Sequence, residues 1–265
     1  MSDQKSRKEV VPVPAATMLL ARDGGDGIEV FMVKRHHEMG FAAGALVFPG
    51  GKACREDSDA SLAGRMGGAS DWSPPMRAVA VAAIREAFEE AGVLLARDCR
   101  TGKIVAGERL AALDPYREKI EIGQTSLGEM LRIERLTLAC DELVHFAHWI
   151  TPKSMPKRFD THFFLARAPT DHTGRHDGRE SVDSLWARPE QAIAMRRQWN
   201  IMFPTKLNLM KLAKTGTVAE ALAAARATPP QTVEPWLEDG PDGKYFRIRD
   251  DAGYETTRIA VGDER

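Results

Sequence analysis

The sequence predicts an α+β fold, a mixed sheet packed between helices. Three observations carry that expectation. Near the N-terminus, "AATMLLARDGGDGIEVFMVKR" reads as a hairpin, two apolar runs around an Asp-Gly-Gly-Asp-Gly turn. Pro74-Pro75 opens a periodic segment that runs to about Ala91 and stops at Gly92, the signature of a capped helix. Further strand-like and helix-like runs follow to the C-terminus, with no internal repeat and no clear linker.

Taken in order, the first strand spans about Ala15 to Ala21. "GALVF" is a short apolar strand that runs into "PGG". Residues 52 to 75 are polar, glycine-rich and without period, so they form a loop with one short helical turn near Ala60 to Arg65. Residues 93 to 97 look like a strand. Residues 98 to 136 look helical in two pieces, "AGERLAALDPYREKI" and "SLGEMLRIERL". Two strands follow, near Leu143 to Ile150 and Asp160 to Ala168. "DHTGRHDGRE" is a loop and "SVDSLWA" a strand. "RPEQAIAMRRQW" and the alanine-rich "PTKLNLMKLAKTGTVAEALAAARA" are helices. The tail from Thr228 carries a second hairpin pattern.

Bulk properties narrow the function. The chain has 265 residues, a net charge of −1 and 43% hydrophobic content, which fits a globular protein of one large domain or one domain with additions. Its Lys/Arg runs are never longer than two and the charge is near zero, so no nucleic acid is expected as partner. Cys54, Cys99 and Cys140 make no CxxC pair and read as reduced thiols of a cytoplasmic protein. No apolar run approaches the roughly 18 residues of a membrane span. The start mimics a signal peptide, but prolines interrupt its apolar stretch and no A-x-A site follows, so a first strand is the better reading. A homodimer is left open.

"REAFEEAGVLL", residues 85 to 95, carries the chemistry. On a helix at about 100° per residue, Glu86, Glu89 and Glu90 share an arc of about 100°. Ala80, Val81, Ile84, Ala87, Phe88 and Ala91 occupy the other side. Arg85 precedes Glu89 by four residues and can orient it. A solvated acidic face is the plain explanation. Against it, like charges at i, i+4 cost roughly 0.2–0.5 kcal/mol. Carboxylates in the last turn also face the negative end of the helix dipole. A compensating hard divalent cation with oxygen ligands is the alternative.

"REAFEEAGV" resembles the core of the Nudix box: Arg-Glu, an apolar residue, any residue, Glu-Glu, any residue, Gly, apolar. The box normally begins with glycine, five residues and an acid, then seven residues before the Arg-Glu. Gly51 of "FPGG" fits that glycine and Asp57 falls at the first acid. The gap from Asp57 to Arg85 is 27 residues, so the box carries a 20-residue insertion.

The resemblance implies a Nudix fold, an α/β/α sandwich with a mixed central sheet, over residues 11–226. Insertions at 58–76 and 98–136 and an extension at 227–265 would be added to it, after a flexible N-terminus at 1–10. It implies that Glu86, Glu89 and Glu90 ligate Mg²⁺ or Mn²⁺, with a backbone carbonyl of Gly51 or Gly50, and that Arg85 holds a glutamate in place. It also implies pyrophosphate hydrolysis of a small nucleotide-type substrate, a nucleoside diphosphate linked to another moiety. Family members differ in the general base. Glu180, in the loop before "SVDSLWA", and Glu142 are the loop candidates.

The weaker features keep two readings. Lys157 and Arg158 precede an aromatic strand and either hold a substrate phosphate or are surface charges. His36-His37 either touch the ligand or are loop histidines. His145 and His148 differ by three on a strand, so alternation puts them on opposite faces and argues against a shared metal site. Trp149, Trp186, Phe163 and Phe164 read as core.

The interrupted box, the lead-in to "FPGG" and "WITP…KRFDTHFFLA" together resemble the peroxisomal acyl-coenzyme A diphosphatase branch and its bacterial relatives, from about Ala15 to Trp186. Coenzyme A or its acyl esters are the substrate this implies, cleaved to 3′,5′-ADP and (acyl-)phosphopantetheine. Arg35 and Gly44 fit the branch's upstream Arg-Arg-Gly pattern, while Gly40 stands where the second arginine belongs. Hydrolysis of ADP-ribose, NADH or nucleotide sugars, or a non-catalytic Nudix-fold sensor, are the alternatives. A sensor would be marked by a lost box glutamate, and all are present.

Overall fold

The computed structural model describes residues 10–36, 43–62, 64–172, 174, 177–178 and 181–263. The expected hairpin is β1 (Val13–Gly24) and β2 (Gly27–Arg35), closed by a turn whose Gly27 takes φ 119°. β3 (Leu46–Val47) and β4 (Gly50–Lys52) follow. Short 3-10 turns at Arg55–Ser58 and Ala60–Leu62 lead to β5 (Met66–Gly67) and the long helix α1 (Pro74–Ala91). Next come β6 (Ala96–Asp98), α2 (Gly107–Ala111), α3 (Pro115–Glu121), α4 (Leu127–Ile133) and β7 (Leu136–Ala139). β8 (Val144–Ile150), β9 (Phe159–Arg167) and β10 (Ser181–Ala187) precede α5 (Pro189–Ala194), α6 (Phe203–Leu212) and α7 (Val218–Ala227). The tail forms β11 (Thr232–Val233), β12 (Trp236–Gly240), β13 (Gly243–Arg247) and β14 (Arg258–Ala260).

The main sheet runs β10-β2-β1-β9-β8-β11, with β3 on β2 and β4 on β1. β1 pairs β9 in parallel and β2 in antiparallel fashion, so the sheet is mixed. One apolar layer joins Ala16, Met18, Leu20 and Phe164 to α1. The other joins Leu19, Met32, Phe163 and Leu165 to α6 and α7. The α/β/α sandwich follows from these two layers.

α1 forms where its caps say it should. Ser73 accepts a hydrogen bond from Met76 N–H, prolines fill the first turn, and Gly92 turns left-handed at φ 66° to close the end. The segment read as one alanine-rich helix is two. The chain breaks between α6 and α7, and Thr217 caps α7 by accepting from Glu220 N–H. The segment read as two helical pieces holds three helices.

The two segments expected as insertions lean on each other. β5, within residues 58–76, pairs with β7 in a small sheet that β6 completes. The Arg65 guanidinium donates to the Leu136 carbonyl at 3.2 Å. The C-terminal extension is also tied in. β11 joins the main sheet beside β8, and Tyr254 packs on Trp149 at 5.4 Å between ring centroids. Tyr254 OH also accepts from Trp149 Nε1 at 3.0 Å and donates to Asn208 Oδ1 at 2.7 Å.

One local irregularity reorders a surface. β8 and β9 slip register between His145 and Ala147: His145 stands opposite Phe164, and Ala147 opposite Phe163. The extra residue, Phe146, shifts the alternation by one. His145 and His148 therefore share a face, with ring centroids 6.2 Å apart. This corrects the expectation of opposite faces, which assumed an unbroken strand. The Phe146 carbonyl released by the slip accepts from Lys211 Nζ at 2.7 Å, and the same ammonium lies 4.4 Å above the Phe146 ring.

Candidate metal and catalytic site

The acidic side of α1 is not a solvated face. Arg85 and Glu86 are each 8% exposed and Glu90 is 4% exposed. The sequence argument for a charge pattern that α1 alone does not stabilise therefore applies to buried groups, where it is stronger. β4 and the 3-10 turn after it cover this side of the helix.

Arg85 organises the cluster. Its Nε and Nη2 donate to the two oxygens of Asp57 at 2.9 and 3.0 Å, a bidentate fork. Nη1 donates to Glu86 at 2.7 Å and to Glu89 at 3.3 Å, and Nη2 also reaches the Lys52 carbonyl at 2.8 Å. Burial works against this charge, but Asp57, Glu86 and Glu89 outweigh it and raise the arginine's pKa. Asp57 itself is 3% exposed and accepts from Cys54 N–H at 2.8 Å. The 20-residue insertion thus leaves Asp57 beside Arg85, because the chain departs only after the 3-10 turn that Asp57 caps.

The glycine loop meets the same carboxylates. Gly50 N–H donates to Glu90 at 3.0 Å. A Cβ placed on Gly51 would lie 2.4 Å from a Glu86 oxygen, so a larger residue there would displace the Glu86 carboxylate from its place against the loop. At the end of α1, the Arg117 guanidinium from α3 donates twice to the Glu89 carbonyl, at 2.9 and 3.1 Å. That cation answers the negative end of the helix dipole, a role the sequence did not reveal.

Glu89 is pushed up to about 7, first by burial and then by the Glu86 charge, with Arg85 pulling the other way. Asp57, Glu86 and Glu89 gather on the Arg85 guanidinium, and Glu90 lies beside them at the next position of α1, accepting from Gly50 N–H. Hard oxygen donors clustered on a backbone that approaches closely fit a divalent cation of the Mg²⁺ or Mn²⁺ type.

The remaining expected residues fall elsewhere. Arg35 ends β2 and is half-buried, and its Nε has no partner among the described residues. Lys157 is exposed in the turn between β8 and β9. Arg158 is 4% exposed and donates to Thr151 O at 3.0 Å, Val10 O at 2.8 Å and Glu234 at 2.5 Å. All three of its nitrogens donate to protein acceptors, a geometry that favours a structural tie over the expected substrate contact. Glu142 pairs with Arg97 at 2.5 Å beside the small sheet. Half-buried His36 follows β2, whereas Glu180, His37 and Gly40 lie outside the described residues. Trp149, Phe163 and Phe164 are core, as expected.

Known proteins share this arrangement of sequence. A NUDIX hydrolase from Alicyclobacillus acidocaldarius, whose crystal structure is known, superposes with a TM-score of 0.70 at 30% identity, covering 81% of this chain and 96% of that one. The acyl-coenzyme A diphosphatase NUDT19 of Xenopus laevis is 26% identical over 227 residues, and that of Homo sapiens 27% over 206 residues. These alignments cover 66% and 63% of this chain, and 57% and 55% of the relatives. The chain thus spans little more than half the length of the curated relatives it matches. The NUDT19 Nudix domain model matches residues 66–209, more than half of the chain, which with the structural likeness shows that the chain belongs to the Nudix family.

Proposed function

We propose that the chain is a Nudix pyrophosphohydrolase that needs Mg²⁺ or Mn²⁺, and that it cleaves the diphosphate of coenzyme A or an acyl ester of it. The observation that carries the hydrolase reading is the buried cluster of Glu86, Glu89 and Glu90 against Gly50-Gly51, oriented by Arg85 and Asp57. Glu86, Glu89 and Glu90 would hold the cation, with a carbonyl of the glycine loop. When bound, it polarises the phosphoryl group and makes water a better nucleophile.

The chain's own groups do the rest. Arg85 fixes Glu86 and Glu89, so the carboxylates are placed before substrate arrives. Glu89, held in place by Arg85, would take the proton of the attacking water as its oxygen bonds to phosphorus and the P–O bond to the leaving phosphate breaks. Arg35 and Lys157 are the cations assigned to the substrate's phosphates. The substrate reading is supported by the coenzyme A-related names of the NUDT19 relatives.

The test is a panel of coenzyme A, acetyl-coenzyme A, ADP-ribose, NADH and a nucleotide sugar, each with Mg²⁺, with Mn²⁺ and with excess chelator. Coenzyme A or its ester should be cleaved to 3′,5′-ADP only when a cation is present. Full turnover in chelator would remove the metal requirement. A tenfold higher kcat/KM for ADP-ribose or the sugar, about 1.4 kcal/mol in transition-state binding, would overturn the substrate but not the chemistry.

A further inference from the structure

The slip in β8 gathers imidazoles that alternation would have separated. His148 and His162 stand opposite one another on β8 and β9, and their rings stack at 4.0 Å between centroids. Both Nε2 atoms face one carboxylate oxygen of Asp160, at 2.5 Å from His148 and 3.9 Å from His162. These separations bracket the roughly 3.3 Å edge of a tetrahedron with bonds of about 2.0 Å.

The other nitrogens are already engaged. Nδ1 of His148 lies 2.8 Å from Thr232 Oγ1, and Nδ1 of His162 lies 3.1 Å from His145 Nε2. Ligating histidines are oriented in this way, each held by a partner at its far nitrogen so that the near lone pair points inward. His145 holds that place only because the bulge brings it to this face. The three side chains are partly open, with His148 and His162 at 16% and 15% exposure and Asp160 at 35%, so positions for further ligands remain.

We propose that His148, His162 and Asp160 form a second cation site, for a transition metal of the Zn²⁺ class, separate from the glutamate cluster of α1. Two imidazoles and one carboxylate with open positions suit such an ion better than Mg²⁺, which prefers an all-oxygen shell. The site faces the same side of the sheet as the glutamates. His162 pairs with Ala16, Ala16 pairs with Gly51, and the Cβ direction of Gly51 points at Glu86. Two strand steps of about 4.8 Å set the sites on the order of 10 Å apart across the sheet. An ion held there presents its open positions on the face where the glutamates lie, within reach of an anionic group of a ligand extended along the sheet.

The test uses full-length, chelator-stripped protein and Zn²⁺ in equilibrium dialysis against a large excess of Mg²⁺. One equivalent of Zn²⁺ should be retained. His148→Ala and His162→Ala should each weaken it by at least tenfold, and Glu90→Gln should leave it within twofold. Asp160→Asn, which keeps the shape and removes the charge, serves if an alanine variant does not fold, and should weaken it likewise. Co²⁺ should give the intense visible absorption of a low-coordinate nitrogen-containing site in the wild type and lose it in these variants. The proposal is overturned if no Zn²⁺ is retained, if retention follows Glu90 instead, or if the histidine and aspartate variants bind as the wild type does. None of these outcomes depends on hydrolysis, so the site stands or falls apart from the proposed function.

Discussion

Asp57 and Glu90 are both buried carboxylates of one cluster, and their surroundings assign them opposite energetic roles. Asp57 takes two donors of a buried guanidinium, so removing its charge leaves Arg85 with fewer partners in a poorly solvated place. Breaking such a pair costs about 3–5 kcal/mol. Glu90 lies four residues from Glu86 on the last turns of α1, where helix geometry disfavours its charge, and its contact with Gly50 N–H can be kept by a glutamine oxygen. In chelator, Asp57→Asn should therefore lower the thermal midpoint by several degrees, while Glu90→Gln should leave it unchanged or raise it. With Mg²⁺ and substrate, both should lose activity, Glu90→Gln by at least about 10²-fold. A Glu90→Gln protein that is destabilised without metal and fully active with it would assign the residue to the fold. The acids of α1 were legible because helical spacing reports a shared face directly. The position of Asp57 was legible too, but its partnership with Arg85 was not, since 27 residues separate them in the chain.

At the scale of elements, capped helices and plain strands were read closely. α1 has the bounds its prolines and Gly92 announced, and β10 is the whole of "SVDSLWA". The misreadings come from features that no local pattern encodes. The bulge at Phe146 reverses the parity of His145, and what stabilises it is Lys211, from a helix far along the chain. The helical insertion docks through similar long-range bonds. His172, after β9, is 4% exposed and its Nε2–H donates to the Val105 carbonyl at 2.8 Å. Its Nδ1 is then a bare acceptor, and a proton added there would find no partner among the described residues. Burial accordingly lowers its pKa below the usual histidine value of 6.5. The unfolded chain binds that proton near pH 6.5 and the folded one only at lower pH, so stability is lost as pH falls below about 6.5. Urea denaturation at pH 7.5 and 5.5 checks this. His172→Gln can keep the bond to Val105 and should lose less stability between the two pH values than the wild type. An equal loss in both would show that His172 does not titrate in this window.

Across the whole molecule, the C-terminal extension is held to the rest of the fold, and Arg158 is one of its ties. This arginine links the N-terminal segment through Val10, the turn after β8 through Thr151, and the extension through Glu234. Three distant stretches of chain meet at one buried guanidinium, a meeting that the Lys-Arg pair in the sequence could not announce. Arg158→Met keeps most of the apolar bulk and strands two backbone carbonyls and a carboxylate. The cost should be about 2–4 kcal/mol, seen as a lower denaturation midpoint and faster proteolysis between residues 228 and 235. Substrate discrimination gives the independent readout. If Arg158 only joins the chain, the kcat/KM ratio of coenzyme A to 3′-dephospho-coenzyme A should match that of the wild type, whatever the loss of stability. Arg35→Ala should bring that ratio toward one instead, because a guanidinium can grip a phosphate through two hydrogen bonds. An Arg158→Met protein of undiminished stability whose ratio falls to one would return this arginine to the substrate.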